Sequence, residues 1–243
     1  MRIGMRLVAL FFACAWMGGC SPQSPAPLAA TTAAPSVEPQ ANKELALYRT
    51  LRQQQSWELA APIGAEIVAR FSGSAAATEV HETLADTTAK ATAVATRRRL
   101  ERLWSYQTGD ESGGQQSTAS IYSNDIAAGD RVRLILRRHS DWGQSVYLFG
   151  AGKGFVCRGT CKIAVRFDDK SPEQIKAYLP PTGEPALFIS DDAGFIRKLG
   201  SVQKISIDVA EKGKSARTLV FDVGGFDSTR FAPVARKPSR ARK

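Results

Sequence analysis

Between residues 42 and 104 the apolar positions follow the spacing of a helix face. Leu45, Tyr48 and Leu51 are three residues apart, and later sets continue at intervals of three or four. Since an α-helix has 3.6 residues per turn, this pattern predicts helices with one buried stripe. We predict a break at residues 71–74, where Gly73 ends one helix and Ser74 caps the next. Three helices result, the second of them interrupted by Pro62.

After Trp104 the period changes from helical spacing to alternation, most clearly in residues 131–137 and 204–209. Segments of this kind, separated by turn residues, are typical of β-strands. Eight strands are predicted, at 117–123, 131–138, 145–149, 162–167, 174–179, 186–190, 203–209 and 217–223. Short strands at this spacing predict an antiparallel β-sandwich or barrel over residues 105–228, with one short helix at 191–199. The predicted fold class is α+β: a hairpin-like helical module, then a β domain.

The helix pair, its Phe71-Ser72-Gly73-Ser74 break and the alanine-rich third helix resemble tetratricopeptide-like segments of envelope proteins. Only about one such repeat is present. Because one repeat leaves its apolar face uncovered, we expect the helices to pack on each other or on the β domain.

The first nineteen residues have the three-part plan of a secretory signal. Two arginines precede an apolar stretch at residues 7–16, and small residues lead into Cys20. The run Met17-Gly18-Gly19-Cys20 resembles the lipobox of bacterial lipoproteins. That resemblance implies cleavage before Cys20, acyl chains on this residue, and a membrane anchor. Ser21 resembles the second residue of outer-membrane lipoproteins, which implies the outer membrane, facing the periplasm. The alternative is an ordinary secreted protein cut near Gly19.

Residues 20–41 are rich in Pro, Ala, Ser and Thr, which predicts a flexible tether. The chain has 243 residues and a net charge of +10, but residues 21–228 carry 25 basic and 23 acidic side chains. Most of the surplus therefore lies in residues 229–243, a predicted disordered tail. This distribution argues against a nucleic-acid-binding surface. Two roles are open for this tail. It is either a solvated end, or it binds anionic envelope polymers through its basic residues Arg236, Lys237, Arg240, Arg242 and Lys243.

Cys157 and Cys161 flank a glycine-containing turn between two predicted strands. In an oxidising periplasm, two cysteines this close are expected to form a structural disulfide. A redox pair usually has the spacing Cys-x-x-Cys, and a zinc site needs further ligands, which His81 and His139 do not supply at a zinc-motif spacing. These two alternatives stay open. No metal or cofactor is predicted.

Residues His139, Ser140 and Asp141 are the residue types of a hydrolase triad, but neighbours on an extended segment point to opposite faces. Two acidic pairs, Asp168-Asp169 and Asp191-Asp192, fall where turns and helix caps favour Asp. The sequence therefore predicts no enzyme.

The best candidate for a binding surface lies around one turn and combines residue types that dominate measured interfaces. It consists of Arg137, Arg138, His139 and Trp142. The alternative is that Trp142 belongs to the core and the arginines to a solvated strand edge.

Several short segments between Leu103 and Asp227 resemble a family of proteobacterial envelope lipoproteins without an established activity. They are Trp104-Ser-Tyr, Leu134-Ile-Leu-Arg-Arg-His, Trp142-Gly-Gln-Ser-Val, Phe155-Val-Cys, Val165-Arg-Phe-Asp-Asp, Ala186-Leu-Phe-Ile and Phe221-Asp-Val-Gly-Gly-Phe-Asp. A fainter similarity links the chain to accessory lipoproteins of type VI secretion clusters. The resemblance implies a fold and an envelope location.

We therefore expect a lipid-anchored, non-enzymatic protein that holds a protein or cell-wall partner, for example as an inhibitor, an immunity protein or a secretion accessory. One alternative is a structural link between outer membrane and peptidoglycan. Another is a periplasmic hydrolase with a site near His139, Asp141 and Asp168-Asp169.

Overall fold

The structure is a computed structural model that describes residues 37–124, 131–150 and 152–235. Three sequence predictions lie outside these ranges: the signal segment with Cys20, the tether as far as residue 36, and the basic residues from Arg236 to Lys243.

Three helices open the described chain: α1 (Val37–Gln53), α2 (Trp57–Arg70) and α3 (Ala75–Glu101). Their apolar stripes form a core of their own around the buried residues Leu45, Tyr48 and Ile67. The Tyr48 hydroxyl is 2.9 Å from Thr83 Oγ1 and 3.0 Å from Thr87 Oγ1, which joins α1 to α3. The helices therefore pack on each other, in agreement with the expectation for a single repeat.

Two details of the helical module differ from the prediction. The helix α1 begins at Val37 rather than at residue 42, and Ala41 is fully buried, so the predicted end of the tether is wrong. Pro62 does not interrupt α2. Proline cannot donate a backbone hydrogen bond, but the buried residues Ala60 and Ile67 on either side of it pack in the helical core and stabilise the helix there. The predicted cap is confirmed, because Ser74 Oγ accepts the Ala77 N–H at 3.1 Å.

Within the described ranges, nine strands and one further helix follow α3. They are β1 (Ser105–Glu111), β2 (Gly114–Tyr122), β3 (Arg133–His139), β4 (Gly143–Phe149), β5 (Thr160–Phe167), β6 (Glu173–Tyr178), β7 (Ala186–Ile189), α4 (Asp192–Leu199), β8 (Lys204–Val209) and β9 (Arg217–Asp222). The α+β prediction is confirmed, and all eight predicted strands occur with ends shifted by at most three residues. Alternation did not reveal β1, because nearly all its side chains are exposed.

All nine strands lie in one antiparallel sheet, in the order β1-β2-β3-β4-β7-β6-β5-β8-β9. The inward side chains of β2 to β9 share a single core cluster. Just beyond β2, the Asn124 N–H donates to the Val220 carbonyl of β9 at 2.8 Å. The sheet therefore curls until its β2 side reaches β9. This arrangement is barrel-like, and the strands do not form the two separate sheets of a sandwich.

The last turn of α3 packs directly against the exit from β9. Trp104 is buried in the β core, and its indole N–H donates to the Val223 carbonyl at 3.3 Å. A Cβ atom on Gly225 would lie 2.2 Å from the carbonyl carbon of Leu100, so this close approach requires glycine. The helical module and the β domain consequently belong to one compact unit.

The folded part extends past the predicted start of the tail at residue 229. Phe231 is fully buried in the β core, and the Arg230 guanidinium lies 4.3 Å from the centroid of the Tyr106 ring. The predicted boundary is therefore wrong, because the Phe231 ring packs in the core and keeps the chain ordered beyond residue 229. Of the helices in the described ranges, none has both the length and the apolarity that crossing a membrane requires.

Candidate functional site

The candidate residues lie on the hairpin between β3 and β4. His139 ends β3 and pairs with Gly143, which leaves a three-residue loop. Gly143 has a φ of +76°, and a glycine in this conformation after a short loop is a common hairpin solution. The loop holds Trp142 just outside the sheet.

His139 is almost completely buried and makes hydrogen bonds through both ring nitrogens. Its Nδ1 accepts the backbone N–H of Asp141 at 3.1 Å and that of Trp142 at 3.3 Å. The proton is therefore on Nε2, which donates to the Glu111 carbonyl at 2.9 Å. Gly114 leaves the space for this ring, since a Cβ there would lie 2.5 Å from His139 Cε1. The imidazole thus fixes the hairpin turn and ties it to the end of β1.

Trp142 is half exposed, and its ring stacks on the imidazole of His139 with 3.8 Å between centroids and an interplanar angle of 11°. The Arg137 guanidinium carbon is 5.1 Å from the centroid of the Trp142 ring and 5.3 Å from that of Tyr147. Trp142 is therefore not a core residue, although its ring is held in place by its neighbours.

The row of rings continues across the sheet because the register places aromatic residues opposite one another. Tyr147 faces Phe188, and Phe188 faces Tyr178. Their centroid distances are 4.7 Å and 5.5 Å, and both pairs are stacked. Cross-strand pairs of this kind stabilise sheets. Here they also build a row of three rings over β4, β7 and β6, which Arg137 of β3 connects to Trp142.

This row lies on the outer surface of the sheet. Leu134 and Leu136 belong to the β core, so Arg133, Ile135 and Arg137 point the other way. A second group lies beside the row, where Arg131 and Arg133 approach the Tyr122 ring at 4.9 Å and 5.8 Å. We call the whole surface the aromatic–arginine face; its residues are Tyr122, Arg133, Arg137, Trp142, Tyr147, Phe149, Tyr178 and Phe188.

In residues 37–124, 131–150 and 152–235, no ion pair involves Arg133 or Arg137. Arg137 Nε donates instead to Ser145 Oγ at 3.2 Å. Burial raises the pKa of the Tyr147 phenol, the positive charges of Arg137 and Arg133 act to lower it, and the negative charge of Glu184 acts to raise it. The residues of the face therefore combine two positive charges with aromatic rings.

Arg138 does not belong to this face. It points inward, with its guanidinium carbon 4.1 Å from the centroid of the Phe231 ring and Nη1 donating to the Phe231 carbonyl at 2.7 Å. Nε donates to Gln144 Oε1 at 3.1 Å, and desolvation lowers the pKa of the guanidinium. The structure thus brings Arg137, His139 and Trp142 together as predicted, and separates Arg138 from them because adjacent strand residues alternate between faces.

The candidate hydrolase residues line different cavities. Asp168 and Asp169 line one beside Lys204, whereas His139 lines another with Trp142. Asp168 has a φ of +51°, and its Oδ1 accepts the backbone N–H of Gln203 at 2.8 Å and of Lys204 at 2.9 Å. That carboxylate therefore joins the end of β5 to the start of β8 through two hydrogen bonds.

Cys157 and Cys161 form a disulfide with 5.6 Å between their Cα atoms, as predicted. It links the segment just before β5 to the second residue of that strand. In the sheet, β5 pairs with β6 on one side and β8 on the other. Throughout the described part of the chain, His, Cys, Asp and Glu side chains form no group of three or more that is arranged to hold a metal ion.

Most of the aromatic–arginine face was not predicted. Tyr122, Tyr147, Tyr178 and Phe188 lie in four different strands, and only the strand order brings them together. One signal was present, because residues 146–149 read Val-Tyr-Leu-Phe without the polar alternate positions of a solvated outer surface. The partners of those residues depend on the pairing of β4 with β7, which periodicity does not determine.

No family model matches the chain, and no curated protein does. Among solved structures, the chain is similar to the crystal structure of invasion associated protein B from Bartonella henselae, at 17% identity and a TM-score of 0.34. The similarity covers 52% of this chain and 87% of that one. At this level it carries no argument about fold or function.

Proposed function

We propose that this protein is a non-enzymatic binding protein of the bacterial envelope. It is anchored in the outer membrane through lipidated Cys20, and it holds a partner on the aromatic–arginine face of its β domain.

The observation that carries the proposal is the composition of this face. Trp142 is 50% exposed and Tyr178 is 39% exposed, although rings of this size carry a large apolar surface that is favourable to bury. Tryptophan, tyrosine and arginine are the residue types most enriched in interface hot spots. Their rings are also held rigid by mutual stacking, so a partner would not have to order them on binding.

Two features support an envelope location. Residues 17–20 resemble a lipobox, and Cys157 and Cys161 form a disulfide of the kind that persists in oxidising compartments. The lipid chains would keep the protein at the membrane, where a modest affinity for a neighbouring partner is sufficient.

The hydrogen bonds of His139 support a non-enzymatic role. Both ring nitrogens serve the backbone of the hairpin and of β1, which leaves neither for a substrate. Asp168, another residue of the alternative hydrolase site, accepts hydrogen bonds from two backbone N–H groups and lines a different cavity.

A crosslinking experiment in living cells tests the proposal. A photoreactive amino acid replaces Trp142 or Tyr178 in the full chain, and a matched variant carries it at Leu47. Leu47 is 47% exposed, a fraction similar to that of Trp142, but it lies on α1 and outside the aromatic–arginine face. After irradiation, fractionation and gel analysis locate the chain and its adducts. A Cys20→Ala variant of each serves to test the anchor.

We expect adducts from positions 142 and 178 and none from position 47, with the chain in the outer-membrane fraction. Substitution of Cys20 should remove it from that fraction. Equal adduct patterns at all three positions would show that the face has no partner and would overturn the binding role.

A further inference from the structure

We infer that the aromatic–arginine face binds the glycan strands of peptidoglycan, with sugar rings on the exposed aromatic side chains and stem-peptide carboxylates at Arg133 and Arg137. This inference rests on the proposed function and names the partner of the same surface.

The rings fit a saccharide polymer rather than one small ligand. The row runs from Trp142, at the turn after β3, past Arg137 to the stacked rings on β4, β7 and β6, so it spans four neighbouring strands. At 4.7–4.9 Å between strands this distance is about 15 Å, several times the size of one sugar ring. The most exposed rings lie at the two ends. Sugars present flat C–H surfaces that pack on aromatic rings, so an extended glycan can contact both ends at once.

Arg137 is arranged to bind a carboxylate. Its guanidinium lies close to the rings of Trp142 and Tyr147, and its Nε donates to Ser145 Oγ, which leaves the two Nη groups for a ligand. A guanidinium edge matches a carboxylate through two parallel hydrogen bonds. Arg133 has a similar position beside Tyr122. The stem peptides of peptidoglycan carry free carboxylates at regular intervals, which complements two arginines without ion-pair partners in the described residues.

The remaining outward side chains favour a hydroxyl-rich partner. On β2 they include Gln116, Thr118 and Ser120, which are half-buried, polar and uncharged. Pressed against lipid chains or the apolar centre of a protein interface, these groups would lose hydrogen bonds to water without replacement. A glycan replaces them with its own hydroxyl and amide groups.

Sedimentation with purified peptidoglycan sacculi tests the inference. The full chain, purified in detergent, is mixed with sacculi at low and moderate salt, and the bound fraction gives an affinity. The test variant carries Arg133→Gln and Arg137→Gln. A control variant carries Arg166→Gln and Lys204→Gln, which removes the same charge from residues that line the cavity beside Asp168. Urea unfolding confirms that both variants are folded.

We expect the wild type and the control to sediment with sacculi, and the test variant to bind at least tenfold more weakly. A single Arg137→Lys variant should also lose several-fold, because lysine keeps the charge without the planar edge. Equal losses in test and control variants would mean non-specific charge attraction and would overturn the inference. So would a wild type that does not bind sacculi at all.

A parallel arm uses vesicles of phosphatidylethanolamine with one quarter phosphatidylglycerol. Binding to these vesicles with the same dependence on Arg133 and Arg137 would identify a membrane surface and overturn the inference. The inference and the proposed function fail separately: adducts to a protein at positions 142 and 178, together with no binding to sacculi, would leave the binding role intact and remove peptidoglycan as the partner.

Discussion

Replacement of Phe231 with alanine removes an aromatic ring from the interior of the β domain, in a segment whose sequence predicts a disordered tail. The side chain is fully buried. Its ring lies 6.4 Å from that of Phe226 and 4.1 Å from the Arg138 guanidinium. These contacts connect the C-terminal segment to the end of β3.

The expected loss follows from the completeness of this burial. Truncation of a buried phenylalanine to alanine costs about 3–5 kcal/mol, because transfer free energy is lost and a cavity remains. The Arg138 guanidinium also loses the ring that it covers, while its hydrogen bond to the residue 231 carbonyl can persist. We therefore expect the free energy of unfolding to fall by about 4 kcal/mol. For a protein of this length, that loss corresponds to a decrease in Tm of roughly 8–16 °C.

Urea unfolding followed by tryptophan fluorescence measures this loss, with Phe149→Ala as the matched control. Phe149 is 37% exposed on the outer surface, so its truncation should cost less than about 1 kcal/mol. Two truncations separate the ring from the basic tail. A chain that ends at Ala235 should keep its stability, and one that ends at Arg230 should lose at least as much as Phe231→Ala. A loss below about 1 kcal/mol for Phe231→Ala would refute the placement of this segment in the core.

Two further predictions concern the packing of α3 and the titration of the outer face. Gly225→Ala should destabilise the protein by about 1–3 kcal/mol in urea unfolding, since the new Cβ would overlap the backbone of Leu100 and Glu101. Gly109→Ala is the control, because nothing lies within 4 Å of a Cβ at that position. Equal effects of the two substitutions would contradict this account. Because burial raises the pKa of Tyr147, the unfolded chain releases the phenol proton at a lower pH than the folded chain does. This contribution to stability is complete below the ordinary tyrosine pKa of about 10 and is lost as the pH rises through the higher folded-state pKa. Tyr147→Phe should make the decline in the free energy of unfolding less steep above pH 10, and an unchanged slope would contradict the role given to burial.

The sequence determined those features that depend on neighbouring residues. Helical spacing and the Gly73-Ser74 break gave α2 and α3, because both signals act within a few residues along the chain. The short helix α4 was predicted for the same reason, and Asp191 Oδ1 does cap it by accepting the Gly194 N–H at 2.9 Å. The disulfide was also predictable, since cysteines four residues apart on either side of a closed turn lie within bridging distance.

Tertiary structure alone decided which distant residues meet. The position of β7 between β4 and β6 places Tyr147, Phe188 and Tyr178 in one row, and the sequence contains no local signal for that order. The same holds for Phe231, which looks like part of a basic tail until the core that receives it is known. The candidate site was therefore only partly predictable. Residues on one hairpin, Arg137, His139 and Trp142, are neighbours through local geometry. The rest of the aromatic–arginine face exists because strand order and register place outward side chains of separate strands next to one another.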